Sequence, residues 1–194
     1  MKRKTFLFLI SLTTILIVNG NVFGQLGLRK GIKLGYNRAT ITGDNLSGVE
    51  SRNSIAGGIG IEFNFIGLLS FQVDALYSPK GYILSDNSET SLNYISVPMV
   101  LKKKFFPVGL HPYILGGAEF NFLLSAKAAG IDIKDQLTSE DMAFVIGGGL
   151  EFSFLRRSAY LEGRYSHGLN NINKNAEQGE SKNRVTQIFF GFLF

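Results

Sequence analysis

The stretch SIAGGIGIEFNF at residues 54–65 alternates without a break. Ile55, Gly57, Ile59, Ile61, Phe63 and Phe65 fall on one face of an extended chain, and Ala56, Gly58, Gly60, Glu62 and Asn64 on the other. A period of two with one apolar face and one small or polar face belongs to a strand, not a helix. The pattern recurs at 141–153, where Met142, Phe144, Ile146, Leu150 and Phe152 oppose Asp141, Ala143, Gly147, Gly149, Glu151 and Ser153. Near the C-terminus Ile188, Phe190, Phe192 and Phe194 oppose Asn183, Gln187 and Gly191, with Phe189 and Leu193 blurring the second face.

Working outward from these stretches, eight alternating segments cover 28–41, 54–66, 69–82, 91–104, 111–125, 141–154, 159–169 and 183–194. Each exceeds the roughly 9–11 residues that a tilted strand needs to cross a bilayer. The connections near 42–53, 83–90, 126–140 and 170–182 read as long and polar, those near 67–69, 105–110 and 155–158 as short. Strict alternation of long and short connections puts every long loop at one end and both termini at the other, as in outer-membrane barrels. The expected fold is all-β: an eight-stranded antiparallel up-and-down transmembrane β-barrel.

Alternation alone does not say which face is outside; composition does. A water-facing surface carries abundant Lys and Glu, roughly a quarter of its positions. Here the polar face is mostly Gly, Ser, Asn and Gln with isolated charges, which suits a cramped lumen. Gly31, Gly35, Gly58, Gly60, Gly117, Gly147 and Gly149 supply room, because eight strands leave an interior just wide enough for side chains. Lys33, Glu62, Asp74, Lys102, Glu119, Glu151, Glu162 and Arg164 share the inward phase. Buried charges are tolerable only when paired, so an ion-pair network that plugs the lumen is expected. Tyr36, Phe65, Tyr77, Tyr82, Phe105, Phe152, Phe154 and Phe194 lie near strand ends, where two interfacial girdles are expected.

The first residues read differently. Lys2, Arg3 and Lys4 precede an apolar run from Phe6 to Val18 and the small-residue pattern Val22-Phe23-Gly24, the layout of a signal peptide cleaved after Gly24. The run is shorter than the roughly 20 residues of a spanning helix and holds Ser11, Thr13 and Thr14. The expected organisation is a signal peptide at 1–24 and a barrel domain at 25–194. Loss of the leader takes the formal charge from +5 to +2, with 17 basic against 15 acidic residues. That is too little for a nucleic-acid partner.

Several chemistries drop out. With no cysteine, disulfides, thiolate metal sites and cysteine nucleophiles are excluded. His111 and His167 are the only histidines, so a multi-histidine metal site is excluded as well, and no cofactor is expected. Ser166 and His167 invite a hydrolase reading, but neighbours on a strand point to opposite faces and cannot form a nucleophile–base pair. Glu119 and Glu151 are better read as lumenal pairing groups than as an acid–base couple. Gly147-Gly148-Gly149 continues a strand instead of opening a helix, so it is no phosphate cradle. Arg156-Arg157 reads as the tip of a short turn.

The stretches FQVDALYSPKG at 71–81, LNYISVPMVLK at 92–102, HPYILGGAEFNFLLSAK at 111–127, DIKDQLTSEDMAFVIGGGLEF at 132–152 and YLEGRYSHGLNNI at 160–172 resemble the PorT-like outer-membrane β-barrel family. The resemblance covers nearly all of the chain after the leader and implies an integral outer-membrane, porin-like protein; the alternation of long and short connections puts both mature termini in the periplasm. The resemblance also implies that the C-terminal strand, ending in Phe190, Phe192 and Phe194, is recognised by the barrel-assembly machinery. One branch of the family is linked to assembly of a secretion system.

The expected function is therefore non-enzymatic, structural or carried by loop contacts, with outer-membrane lipid and the assembly machinery as partners. The alternatives are an accessory role in protein secretion or envelope biogenesis, through loop-bound partners, and a lipid-modifying enzyme.

Overall fold

The computed structural model describes residues 27–43, 49–66, 68–85, 88–106, 109–155, 157–173 and 181–194. The expected leader at 1–24 lies outside the described residues. Eight long strands follow in order: β1 (Leu28–Gly43), β2 (Glu50–Ile66), β3 (Leu69–Ile83), β4 (Glu89–Lys104), β5 (Leu110–Ala128), β6 (Glu140–Phe154), β7 (Arg157–Gly168) and β8 (Ser181–Leu193). Each pairs antiparallel with the next, and β8 returns to β1 from Gly31↔Leu193 to Gly43↔Ser181, so the sheet closes on itself. Closure satisfies both edges, the condition for placing a sheet in hydrocarbon.

The register fixes the barrel's proportions. Pairings carry Leu28 to Phe63, Phe71, Leu101, Gly116, Ile146, Tyr165 and Thr186, and so back to β1 at Arg38, ten residues beyond the start. With strands about 4.8 Å apart and a rise of about 3.3 Å per residue, that stagger tilts eight strands by about 40° and gives a backbone radius of about 8 Å. An even stagger also keeps every inward position inward around the whole ring.

Exposure decides the faces. Leu34, Ile55 and Phe190 are 64%, 68% and 62% exposed, whereas Glu62, Lys102 and Glu162 are at 0%. The apolar residues thus cover the outside and the charged ones fill the centre. Pro79 has no N–H for the ladder, and the β2–β3 register shifts between Ser51 and Gly57 beside it. Its carbonyl is held instead by Asn37 Nδ2 and by Ser54 Oγ at 2.7 Å.

Several expectations need correction. The strands run a few residues past the alternating segments, and the connections shrink accordingly. Those at 84–88 and 105–109 are equal in length, so long and short do not alternate strictly. Ala129 and Gly130, at φ 46° and 84°, make a two-residue turn that pairs Lys127 with Asp132 and Ala128 with Ile131, prolonging β5 into its own hairpin. Tyr82 is no girdle residue: its ring is partly buried against the apolar cluster at the barrel mouth, because residue 82 has inward parity on β3. Arg157 opens β7 and does not lie at a turn tip. The other expected girdle residues are exposed.

Candidate functional site: a charged lumen

The inward positions build three ionic groups along the axis. Nearest the chain termini, Glu62 of β2 and Glu151 of β6 face three cations, Arg29 of β1 and Lys102 and Lys104 of β4. Lys102 lies 3.1 and 3.0 Å from the two carboxylates, and Lys104 likewise 3.1 and 3.0 Å. Arg29 reaches Glu151 at 2.7 Å, also bonds Glu62, and donates to Ser158 at 2.9 Å. In the middle, Lys33, Asp74, Glu162 and Arg164 close a ring of alternating sign. Lys33 lies 2.8 Å from Asp74 and 3.1 Å from Glu162, and Arg164 is 2.8 Å from each. Gln72 and the Tyr113 hydroxyl, each at 2.9 Å, donate to the remaining carboxylate oxygens. Toward the long loops, Lys80 lies 2.9 Å from Glu119 and donates to Asn121 at 2.8 Å, while Asn183 donates to Asp141 at 3.1 Å.

Aromatic rings separate these groups and face their cations. Lys102 Nζ lies 3.9 Å from the centre of the Tyr113 ring, Lys33 Nζ 5.4 Å from that of Tyr160, and Lys80 Nζ 5.2 Å from that of Tyr94. Room for the rings comes from glycine: a Cβ at Gly149 would stand 2.7 Å from the Tyr113 hydroxyl, and one at Gly191 would overlap the Tyr160 ring. Above the third group the lumen turns apolar. Ile41, Leu92, Tyr94, Leu123 and Ala126 are buried there together with Leu137 and Ile172, which come from outside the strands. Leu137 bridges to Asn173 and follows a 3-10 turn at Lys134–Gln136.

All eight lumenal residues singled out from the sequence are buried and ion-paired. Three more cations belong with them, Arg29, Lys80 and Lys104, beside Asp141, which the alternation of 141–153 already put on the polar face. Strand parity could have found them, since 29 shares the phase of 33, 80 that of 74, and 104 that of 102. Phe190 and Phe194 stand on the outer surface, and Phe192 packs beside Phe194 with ring centres 6.4 Å apart. His111 is buried at the end of the barrel near the termini, its ring bonded to the Phe106 carbonyl. Ser166 points inward, 3.4 Å from Glu119, while His167 shares the outward phase of Tyr165. Among the described residues no three His, Cys, Asp or Glu side chains are grouped to hold a metal ion, and no helix is long and apolar enough to cross a membrane.

A closed eight-strand barrel with an oily exterior and a charged centre matches what comparison with known families returns. The model of the outer membrane protein beta-barrel domain matches residues 23–174. The chain belongs to that family. No curated protein matches the chain. Among solved structures, Neisserial surface protein A is similar at 14% identity, with 84% of this chain and 95% of that one covered and a TM-score of 0.59. Ail, the attachment invasion locus protein of Yersinia pestis, solved with the heparin analogue sucrose octasulfate, is 15% identical, with 86% and 99% covered and a TM-score of 0.51. OprG of Pseudomonas aeruginosa is 12% identical, with 86% and 95% covered and a TM-score of 0.50. At such identities the likeness is one of fold. The protein is an outer-membrane β-barrel.

Proposed function

We propose that this barrel is non-enzymatic and non-conducting, a plugged integral scaffold that acts through its exterior and its loops. The observation that carries the reading is the filled lumen: a charged plug over most of its length and an apolar cap of Leu137 and Ile172 at the mouth. Aqueous channels need barrels of many more strands. The lipid-modifying alternative loses its support, because Ser166 lies inside against Glu119 while His167 faces outward. Reconstitution of the purified protein in planar bilayers tests the reading. The expected record is flat; stable, large conductance steps overturn it.

The same reading places both mature termini in the periplasm and the longer loops outside the cell, with the outward aromatics of β8 presented to the assembly machinery. Membership of the PorT-like group is part of this proposal and rests on the sequence stretches from 71 to 172. Protease added to intact cells would cut within 129–139 or 169–180 if the orientation is right, and would leave both loops intact if it is reversed.

A further inference from the structure

The outer surface carries one feature that neither closure nor lumenal packing explains. On β8 and β1, at the long-loop end, the register sets Arg38 opposite Thr186, Thr40 opposite Arg184 and Thr42 opposite Lys182. Cations and hydroxyls therefore alternate like the squares of a board, and His167 on β7 stands opposite Arg184. All have outward parity, and Arg38, Arg184 and Thr186 are exposed. Neither arginine has an ion-pair partner among the described residues. They sit on adjacent strands in diagonal positions, about 7–8 Å apart at the backbone, within reach of one common anion. Elsewhere around this end the outward positions hold Ser91 and Asn93 on β4 and Glu140 on β6, with Lys127 of β5 a single exposed cation opposite Ser91, so the paired arginines are confined to the β8–β1 face.

Directly beneath the patch lie Tyr36 and Ile188, then Leu34 and Phe190, then Ile32 and Phe192, paired on the same two strands. A ligand seated there meets guanidinium and hydroxyl donors above and hydrocarbon-like side chains below. Arginine forks match phosphate oxygens, and such donors at a membrane surface draw anionic lipid.

We infer that the β8–β1 face holds a phosphorylated lipid: its phosphomonoester head bound by Arg38 and Arg184 with help from the threonines, and its acyl chains along Tyr36, Leu34, Phe190 and Ile188. This deepens the proposed function, since it rests on the exterior being the working surface, and it names the class of lipid.

The test uses the protein purified in detergent, titrated with phosphatidic acid or phosphatidylcholine of the same chains and read by native mass spectrometry. Wild type is expected to retain one phosphatidic acid and to prefer it to phosphatidylcholine. The double variant R38Q/R184Q should bind it roughly 25-fold more weakly, two surface arginines each contributing about a factor of five. The pair Lys103→Gln and Arg157→Gln, at the other end of the barrel, should leave binding unchanged. Heat-modifiable gel mobility shows that each variant is folded.

Equal retention of the two lipids, binding indifferent to R38Q/R184Q, or equal loss in the opposite-end variant overturns the inference. Comparable binding of inorganic phosphate overturns the lipid as the ligand. Insertion into phosphatidylcholine vesicles separates the levels: a protein that inserts but shows no head-group preference sinks this site alone, whereas one that fails to insert sinks the membrane reading with it.

Discussion

Replacement of Arg164 by methionine puts the lumenal network to its most direct test. The side chain is fully buried and donates two charge-assisted bonds of 2.8 Å, from Nε to Glu162 and from Nη2 to Asp74. Methionine fills much of the volume but leaves two carboxylates sharing one cation, Lys33. Removing one partner of a buried ion pair costs about 3–5 kcal/mol, chiefly through the charge left uncompensated. Replacing the whole ring by Lys33→Met, Asp74→Leu, Glu162→Leu and Arg164→Met leaves no orphan charge and should cost clearly less than Arg164→Met alone. Urea unfolding from phosphatidylcholine vesicles measures both, followed by far-ultraviolet circular dichroism and gel mobility; tyrosine is the fluorophore, as the chain has no tryptophan. Arg157→Met, on the exposed outer surface, serves as control and should change stability by less than about 0.5 kcal/mol. A loss below about 1 kcal/mol for Arg164→Met would refute the view that the ring holds the barrel together.

Three further substitutions probe the other layers. Leu161→Lys, on the exposed apolar face of β7, should cost about 2–4 kcal/mol in lipid vesicles, because a charge is placed in hydrocarbon; an unchanged urea midpoint would mean that this face does not meet lipid. Gly191→Val forces a side chain into the Tyr160 ring and should destabilise by about 1–3 kcal/mol, with part of the loss regained in Gly191→Val/Tyr160→Ala; no regain would show that the contact is not limiting. Leu137→Ala, in the mouth cluster, should loosen the 129–139 loop, with a local cost of about 2 kcal/mol read as a roughly thirtyfold faster protease cut there while the barrel's urea midpoint stays put.

What the sequence revealed followed from parity. A period of two, once anchored at Ile55 and Glu62, assigns a face to every strand residue, and so places Lys33, Asp74, Glu162 and Arg164 in one lumen before any contact is known. Parity does not say which of them meet, because neighbours around the ring depend on the ten-residue stagger, and the stagger is set by pairings far apart in sequence. The same limit explains Tyr82. Its chemistry suits an interface, but its phase on β3 turns it inward to the apolar cluster at the mouth, and residue type outweighed phase in the expectation. Ile172 and Leu137 were out of reach for another reason: they lie beyond the strands, where no period operates, and only tertiary folding of the loops brings them over the mouth. The basic patch was hidden because Arg38 lies far along the chain from Lys182 and Arg184 and joins them only through the β1–β8 register.

The three ionic groups differ in balance, and that difference makes a last prediction. The group nearest the termini has three cations for two carboxylates, the middle ring two for two, and the group toward the loops one, Lys80, for Glu119 and Asp141. Formal charges of +1, 0 and −1 add to zero, as a barrel of about 8 Å backbone radius packed with side chains requires, since it has no room for the counterions and water that would neutralise it from outside. A surplus cation makes its group redundant. Removal of Lys104 leaves Arg29 and Lys102 facing Glu62 and Glu151, two against two, and Lys104 is the most exposed of the lysines in the network at 10% of its side chain. Lys104→Met should therefore cost about 1 kcal/mol or less by urea unfolding, although its two contacts are as short as those of Lys102. Contact counting would instead rank Lys104 beside Arg164, since each makes two ion pairs. Equal losses for Lys104→Met and Arg164→Met would show that individual contacts, not the local balance of charge, set the stability of the plug.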